Sequence, residues 1–426
     1  MIGWKKNRPV RLSQIIIHSI YILLSLLIIT TTLFFYGFLN DKIIFTIIFI
    51  SLVLFGFVGS RNALLISLSF LAATLLISLF LNVSGLENRI YYRPYEVLTI
   101  FNKKLGFYTF KPNAYLEMFV PFGDIYAIGT RKDIDKEPHQ IIFKTDSLGF
   151  RNDADYQGEE YLLIGDSLLA GIDDTQEDIL PSQLKRFQIN TYALGHSGGI
   201  REYVQYITYM RHRFGNNFQA LIFLFEGNDF PEKFKAAGPP KRDNPVSRYF
   251  RQYKAFFKET NVYRYTFSLY QRFFKKKWES EVLEINNNRM GFLTDHIKVS
   301  QRKHYDLPED LAGMLAAVKE NIGHIFFIPT KYRVYYPLAH QDQAASLPHA
   351  QWEAVAKLGQ RLNIGCTDLT GPLLEASRRL SQDNRFTYWK DDTHWNKWGI
   401  AVAAQVIAGK MQNGEIKIIV AGGPGK

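Results

Sequence analysis

The most chemically suggestive stretch of the chain is Leu162-Leu163-Ile164-Gly165-Asp166-Ser167-Leu168. An apolar run of strand length ends in a serine, and in open α/β sheets ligands bind at the carboxyl ends of strands. A serine opening the turn there offers a hydroxyl nucleophile and a backbone N–H at one point. Three further strings carry compatible groups. Gly195-His196-Ser197-Gly198-Gly199 follows the next apolar run, and its glycines let a backbone N–H approach a substrate oxygen. Phe225-Glu226-Gly227-Asn228-Asp229 follows the one after, and Asn228 adds a side-chain N–H₂ donor. Asp391-Asp392-Thr393-His394-Trp395-Asn396 supplies an imidazole with a carboxylate to orient it. Nucleophile, base, orienting acid and oxyanion donors are the parts that acyl transfer requires. Each residue read alone has an ordinary explanation. Ser167 suits a helix N-cap, Asn228 a turn and His394 a packed site beside Trp395. The order and spacing of the four strings carry the functional reading.

These strings must be positioned by a scaffold, and the alternation of short apolar runs with longer amphipathic stretches implies an α/β fold with a mostly parallel sheet. Strands are expected at Tyr161–Ile164, Ile189–Leu194, Ala220–Phe225, His324–Ile328 and, more weakly, Asn363–Cys366. Helices are expected at Ile200–His212, Pro308–Lys319, Ala350–Leu362 and Lys397–Met411. Residues 85–140 mix Gly, Pro and aromatics in short runs and read as an ancillary lead-in.

The sequence resembles the SGNH (GDSL-type) hydrolase family over about residues 140–412. Gly165-Asp166-Ser167-Leu168 matches the family's first block, Gly198 the second, Gly227-Asn228-Asp229 the third and Asp391-x-x-His394 the fourth. The preceding Asp146-Ser147-Leu148-Gly149-Phe150-Arg151-Asn152 is similar to a lead-in of membrane-anchored members. The resemblance implies a three-layer, flavodoxin-like α/β/α domain and a Ser-His-Asp acyl-enzyme mechanism. Ser167 would be the nucleophile and His394 the base. The N–H groups of Ser167 and Gly198 and the side chain of Asn228 would form the oxyanion hole. The common family spacing favours Asp391 as the orienting acid. An Asp-Thr-His-Trp string in polysaccharide O-acetyltransferase relatives points instead to Asp392. Pro329-Thr330-Lys331 also resembles those relatives and makes Lys331 a substrate-binding candidate. Trp395 is a second, as a platform for a sugar ring or else a core aromatic, and His196 a third, as a pocket wall. Asp166 is expected to bond loop amides. No cofactor is implied, and the histidines show no metal-ligand spacing.

The 426 residues carry 51 Lys+Arg and 40 Asp+Glu, a net charge of +11, with a single cysteine, Cys366. An internal disulfide and a multi-cysteine metal site are therefore excluded. Residues 1–84 hold six basic residues and one acidic residue, and residues 231–280 hold 13 basic and four acidic. Ile15–Leu39, Ile43–Val58 and Ala63–Val83 are apolar, and a membrane span needs ~20 such residues. The expectation is three N-terminal transmembrane helices (about 15–39, 43–58 and 63–83), the alternatives being two spans with a re-entrant hairpin or a cleaved leader. Lys5, Lys6, Arg8 and Arg11 would hold the N-terminus in the cytoplasm and put the catalytic domain, residues 141–412, outside it, in a multi-pass protein of a bacterial inner membrane. A basic, aromatic helical insertion at about 231–300 would pack on the domain or lie in a membrane interface. A tail, 413–426, closes the chain. The resulting expectation is an esterase or O-acetyltransferase acting on acylated cell-envelope carbohydrate, alongside polysaccharide assembly proteins. A lipid esterase and a non-catalytic glycan-binding module are the alternatives. Nucleic acid is not an expected partner.

Overall fold

A computed structural model of the chain describes residues 93–102, 105–231, 276–340 and 347–416, with Leu76, Phe80, Ser84 and Tyr270 besides. All but Leu76, Phe80 and Ser84 belong to one compact unit, residues 88–241 and 268–426. The unit starts with a short helix, α1 (Pro94–Leu98), and a hairpin of β1 (Thr99–Asn102) and β2 (Phe107–Phe110). A second hairpin pairs β3 (Tyr115–Val120) with β4 (His139–Lys144) and holds α2 (Asp124–Ile128) between its strands. The central layer then takes β5 (Tyr161–Gly165), β6 (Thr191–Gly195) and β7 (Gln219–Phe225), with α3 (Leu180–Lys185) and α4 (Ile200–Phe214) as crossovers. A third hairpin, β8 (Ser280–Ile285) and β9 (Asn288–Leu293), turns through Asn286 and Asn287. Their φ values of 49° and 64° are left-handed, a region asparagine tolerates in tight hairpin turns. Helices α5 (Thr294–Ser300) and α6 (Glu309–Ala316) lead to β10 (Ile322–Ile328), α7 (Lys331–Ala339), α8 (Ala350–Leu362), β11 (Gly365–Asp368), α9 (Thr370–Ser381) and α10 (Lys397–Gln412).

The sheet is parallel, in the order β11-β10-β7-β5-β6. Successive residues of a strand face opposite sides, so strands covered on both faces read as continuous apolar runs. Leu163, Phe223 and Phe326 face one core with Ile400, Ala403 and Ile407 of α10. Leu162, Ile164, Ile222 and Phe327 face the other, with Tyr203 and Ile207 of α4 and Leu358 of α8. The chain leaves β5 for β6 on one side of the sheet and later places β7 on the other. That reversal makes the crevice beyond β5 and β7 the topological switch point, where ligands bind in such sheets.

The expected strands and helices are present, most with ends moved by one to three residues. The last strand starts two residues late because Asn363, at φ 57°, is the left-handed cap of α8. One expectation is corrected. Among the described residues no helix is long and apolar enough to cross a membrane, so N-terminal transmembrane helices, and with them a multi-pass membrane location, are not supported. The longest described helix, α10, has 16 residues. At about 1.5 Å per residue it falls short of a hydrocarbon layer of about 30 Å. The runs 15–39, 43–58 and 63–83 lie outside the described residues apart from Leu76 and Phe80. The basic, aromatic insertion expected to be helical at about 231–300 also lies outside them from 232 to 275, Tyr270 excepted, and its later part is not helical throughout, since 280–293 form the β8–β9 hairpin.

Candidate active site

Ser167 follows β5 directly, and its position depends on what grips the loop around it. Buried Asp166 accepts from Leu168 N at 2.9 Å and from the Asn228 amide at 2.9 Å, tying the end of β5 to the end of β7. Gly195 closes β6 against the same loop, where a Cβ would stand 2.7 Å from Ala170 N. Trp395 Nε1 donates to Leu168 O at 2.9 Å and so brings the string that carries His394 up to the serine.

The lead-in string explains the next turn of the loop. Asp146 Oδ1 accepts from the N–H groups of Leu148, Gly149 and Phe150, and Oδ2 from Asn152 and Tyr192. Asn152 in turn bonds both the N–H and the carbonyl of Ala193 in β6. Buried Arg151 donates to the carbonyls of Ala170, Gly171 and Asp174. These residues build the loop after the serine and do not line the cavity at Ser167.

At the centre, Ser167 Oγ lies 2.9 Å from His394 Nε2. His394 Nδ1 lies 2.6 Å from Asp392 Oδ1 and 3.2 Å from Asp173 Oδ2. Burial alone would lower the His394 pKa, but the carboxylates of Asp392 and Asp173 outweigh it and hold the ring well above its ordinary value. Asp391 is turned away from the imidazole. It accepts from Gly123 N at 2.9 Å and Glu137 N at 3.3 Å, and burial raises it to about 7. The acid facing His394 is thus Asp392 and not Asp391. The fixed point is Gly123, where a Cβ would sit 2.5 Å from both Asp391 O and Asp392 Cβ.

A cavity of about 460 Å³ opens onto this pair. Arg93, Tyr95, Asp124, Ser197, Gly227, Asn228, Trp278 and His296 line it together with Ser167 and His394. The N–H groups of Ser167 and Gly198 have no internal acceptor among the described residues. Asn228 lines the cavity, whereas Gly198 lies behind Ser197 with Glu202 packed against it. A larger groove, about 710 Å³, runs past Tyr161, Lys185, Tyr192 and Met411 and contains none of these groups.

Three substrate-binding candidates lie elsewhere. Trp395 is fully buried and occupied by Leu168 O. His196 is buried between Tyr95 and Phe110, where desolvation lowers its pKa to about 4. Lys331 is buried and donates to the carbonyls of Trp389, Lys390 and Asp392, bracing the turn before His394. Burial lowers it to about 8. Residues not anticipated from sequence take their places: Arg93, Tyr95, Trp278 and His296 at the cavity, Asp173 at the imidazole and Asp124 behind it. Asp124 accepts from Thr393 N and Oγ1 at 2.9 and 2.7 Å, and its own N–H donates to Asp392 Oδ2 at 2.5 Å. No local pattern marks these residues, because tertiary contacts bring them to the site.

Asp124, Asp392 and His394 offer atoms within 4.8 Å of one another, a spacing that could hold a metal ion. Their bonding favours another use, since Asp392 faces the ring nitrogen and Asp124 is occupied by Thr393.

Residues 319–421 match the model of a family described as "SGNH hydrolase-like domain, acetyltransferase AlgX". The match spans β10, the Pro329-Thr330-Lys331 string and the Asp391–Asn396 string, and stops short of Ser167. It supports an SGNH-type, polysaccharide O-acetyltransferase-like family, and at that level acyl-transfer or esterase chemistry. A comparison with curated proteins finds no match. One solved crystal structure aligns over 60% of this chain and 97% of its own at 14% identity, with a TM-score of 0.27, too low to carry an argument.

Proposed function

We propose that the chain is a serine acyltransferase or esterase that moves acetyl groups on polysaccharide through an acyl-enzyme at Ser167. The observation that carries this reading is the continuous contact from Ser167 Oγ through both nitrogens of His394 to Asp392, at 2.9 and 2.6 Å. It lies beyond β5 and β7, where the topology leads one to expect a ligand.

Ser167 Oγ attacks the carbonyl carbon of a sugar O-acetyl ester while His394 Nε2 takes the hydroxyl proton. Asp392 holds the remaining Nδ1 proton and balances the imidazolium. Negative charge developing on the carbonyl oxygen is met by the Ser167 N–H and the Asn228 amide. The Asn228 amide has two hydrogens and gives only one to Asp166. Gly198 N–H, which has no internal acceptor among the described residues, is the third candidate donor. Collapse breaks the bond to the leaving sugar oxygen, which takes the proton from His394. Water or a second sugar hydroxyl then attacks the acyl-serine, gives its proton to His394 and restores Ser167. Trp278, 39% exposed at the cavity, offers the apolar face against which a sugar ring can stack.

The test compares wild type with Ser167→Ala on acetylated polysaccharide, following both free acetate and acetate moved to an unacetylated acceptor. Loss of both to background is expected. Unchanged turnover in Ser167→Ala would sink the mechanism, and inactivity of the well-folded wild type would favour a glycan-binding module.

A further inference from the structure

The base has an acid to spare. Asp392 is fully engaged, since Oδ1 also accepts from His394 N at 3.0 Å and Oδ2 from Asp124 N. Asp173 is only 2% exposed, and among the described residues its carboxylate has no hydrogen-bond partner other than the imidazole. A buried carboxylate with so little hydrogen bonding is costly and needs a reason. The imidazole faces it, with Oδ2 at 3.2 Å from His394 Nδ1, and Arg93 adds a second positive charge.

The loop that carries Asp173 is built to hold it there. Arg151 takes the carbonyls of Ala170, Gly171 and Asp174, and His139 Nε2 lies 2.9 Å from the carbonyl of Asp173 itself. His139 is fixed in turn by Glu137 O at 2.7 Å and by stacking on Trp389 at 4.0 Å. The backbone of 170–174 is therefore committed, and the Asp173 side chain points at one atom.

Resting on the reading of His394 as the base for Ser167, we propose that Asp173 is a second positioning carboxylate, which shares the Nδ1 proton with Asp392 so that either acid alone keeps the ring in its working tautomer. In serine enzymes with one orienting acid, its replacement by the amide costs about 10⁴-fold, chiefly through the wrong tautomer. Here the remaining acid retains the proton on Nδ1.

The second carboxylate also sets the pH at which the base works. Asp392 and Asp173 contact the ring, Asp124, Asp166 and Asp174 stand near it, and Arg93, His296 and Lys331 oppose them from other elements. Proton abstraction needs neutral imidazole, and the carboxylates favour the charged form, so the rate rises only above the raised His394 pKa. Removing the Asp173 charge lowers that pKa and moves the acid limb to lower pH.

The experiment measures the rate at which a fluorophosphonate probe labels Ser167, from acid to alkaline pH, in the full chain. Wild type, Asp173→Asn, Asp392→Asn and the double variant are compared, each with a thermal melt. Each single variant should lose about tenfold or less at its plateau, far short of the 10⁴-fold of a lone acid. The limb of Asp173→Asn should fall by about one pH unit or more. The double variant should lose at least ~10³-fold, more than the product of the singles. An unshifted limb in Asp173→Asn, or a double variant no worse than Asp392→Asn, overturns the proposal. Should the double variant not fold, the limb of Asp173→Asn decides, because that change keeps shape and removes a buried charge. An unlabelled wild type removes the serine reading and this one together, whereas a labelled wild type with an unshifted variant removes only this one.

Discussion

The edge of the parallel sheet and the segment from Arg93 to Lys144 reach the same histidine by different means. The edge places Ser167 and Asn228 through strand order, with each residue standing just beyond an apolar strand. The lead-in contributes through single contacts, Gly123 N to Asp391 and Asp124 to Thr393, with no periodic pattern behind them. The sheet edge therefore supplies reacting groups, and the lead-in chooses which of two adjacent carboxylates faces the base. A defect at the edge should remove a donor from the reaction, and a defect in the lead-in should misplace one.

Asn228→Ala is the largest break of this kind. It removes a side-chain donor from the cavity and also the bond to Asp166. Turnover with an acetyl ester should fall about 10²–10³-fold, with KM little changed, as for loss of one oxyanion donor. A loss that lies wholly in KM would show that Asn228 binds ground-state substrate instead.

Gly123→Ala tests the lead-in. The added methyl would fall 2.5 Å from Asp391 O and Asp392 Cβ, backbone and near-backbone atoms that cannot rotate away. The turn carrying Asp392 and His394 must shift, and misplacement by about 1 Å can cost ~10²-fold. The expected result is a kcat loss of that order, accompanied by a drop in melting temperature, because the backbone of the turn must move to admit the methyl. Wild-type kcat in Gly123→Ala would mean that the lead-in is a bystander.

The contrast also explains what could be read in the sequence. The strands at 161–165, 219–225 and 322–328 are buried on both faces, so their apolar runs and the chemistry just after them were legible. Asp391 and Asp392 were not separable, because spacing along a loop does not say which side chain turns inward. Gly123 and Glu137 settle it, from 254 or more residues away in the chain. Asp173 was invisible for the same reason, since its place depends on Arg151 and His139. Trp395 was open between a sugar platform and a core aromatic, and its full burial favours the second, whereas His196 lies between Tyr95 and Phe110. Helix α7, with Pro337 inside it, showed no helical pattern strong enough to be anticipated. The apolar runs before residue 84 suggested spans, and no helix among the described residues supports them.

Trp395 gives the smallest and most discriminating test, because it stands beside the base in sequence and behind it in space. Its ring is fully buried and its Nε1 donates to Leu168 O, one residue beyond the nucleophile. Trp395→Phe keeps an aromatic of smaller volume and removes one of the two donors to Leu168 O, which still accepts from Gly171 N at 3.0 Å, so the lost hydrogen bond costs about 0.5–1.5 kcal/mol. For a domain of this size that corresponds to a fall in melting temperature of a few degrees for each kcal/mol. If Trp395 only packs, KM for an acetylated polysaccharide should stay at the wild-type value while the melting temperature drops. If it stacked on a sugar ring, KM would rise and the melting temperature would move little. Trp278→Ala supplies the reverse pattern, because Trp278 is exposed at the cavity and its loss takes a sugar platform without opening the core. The pair separates proximity in sequence from proximity to substrate, which is the distinction between the two regions at the scale of one side chain.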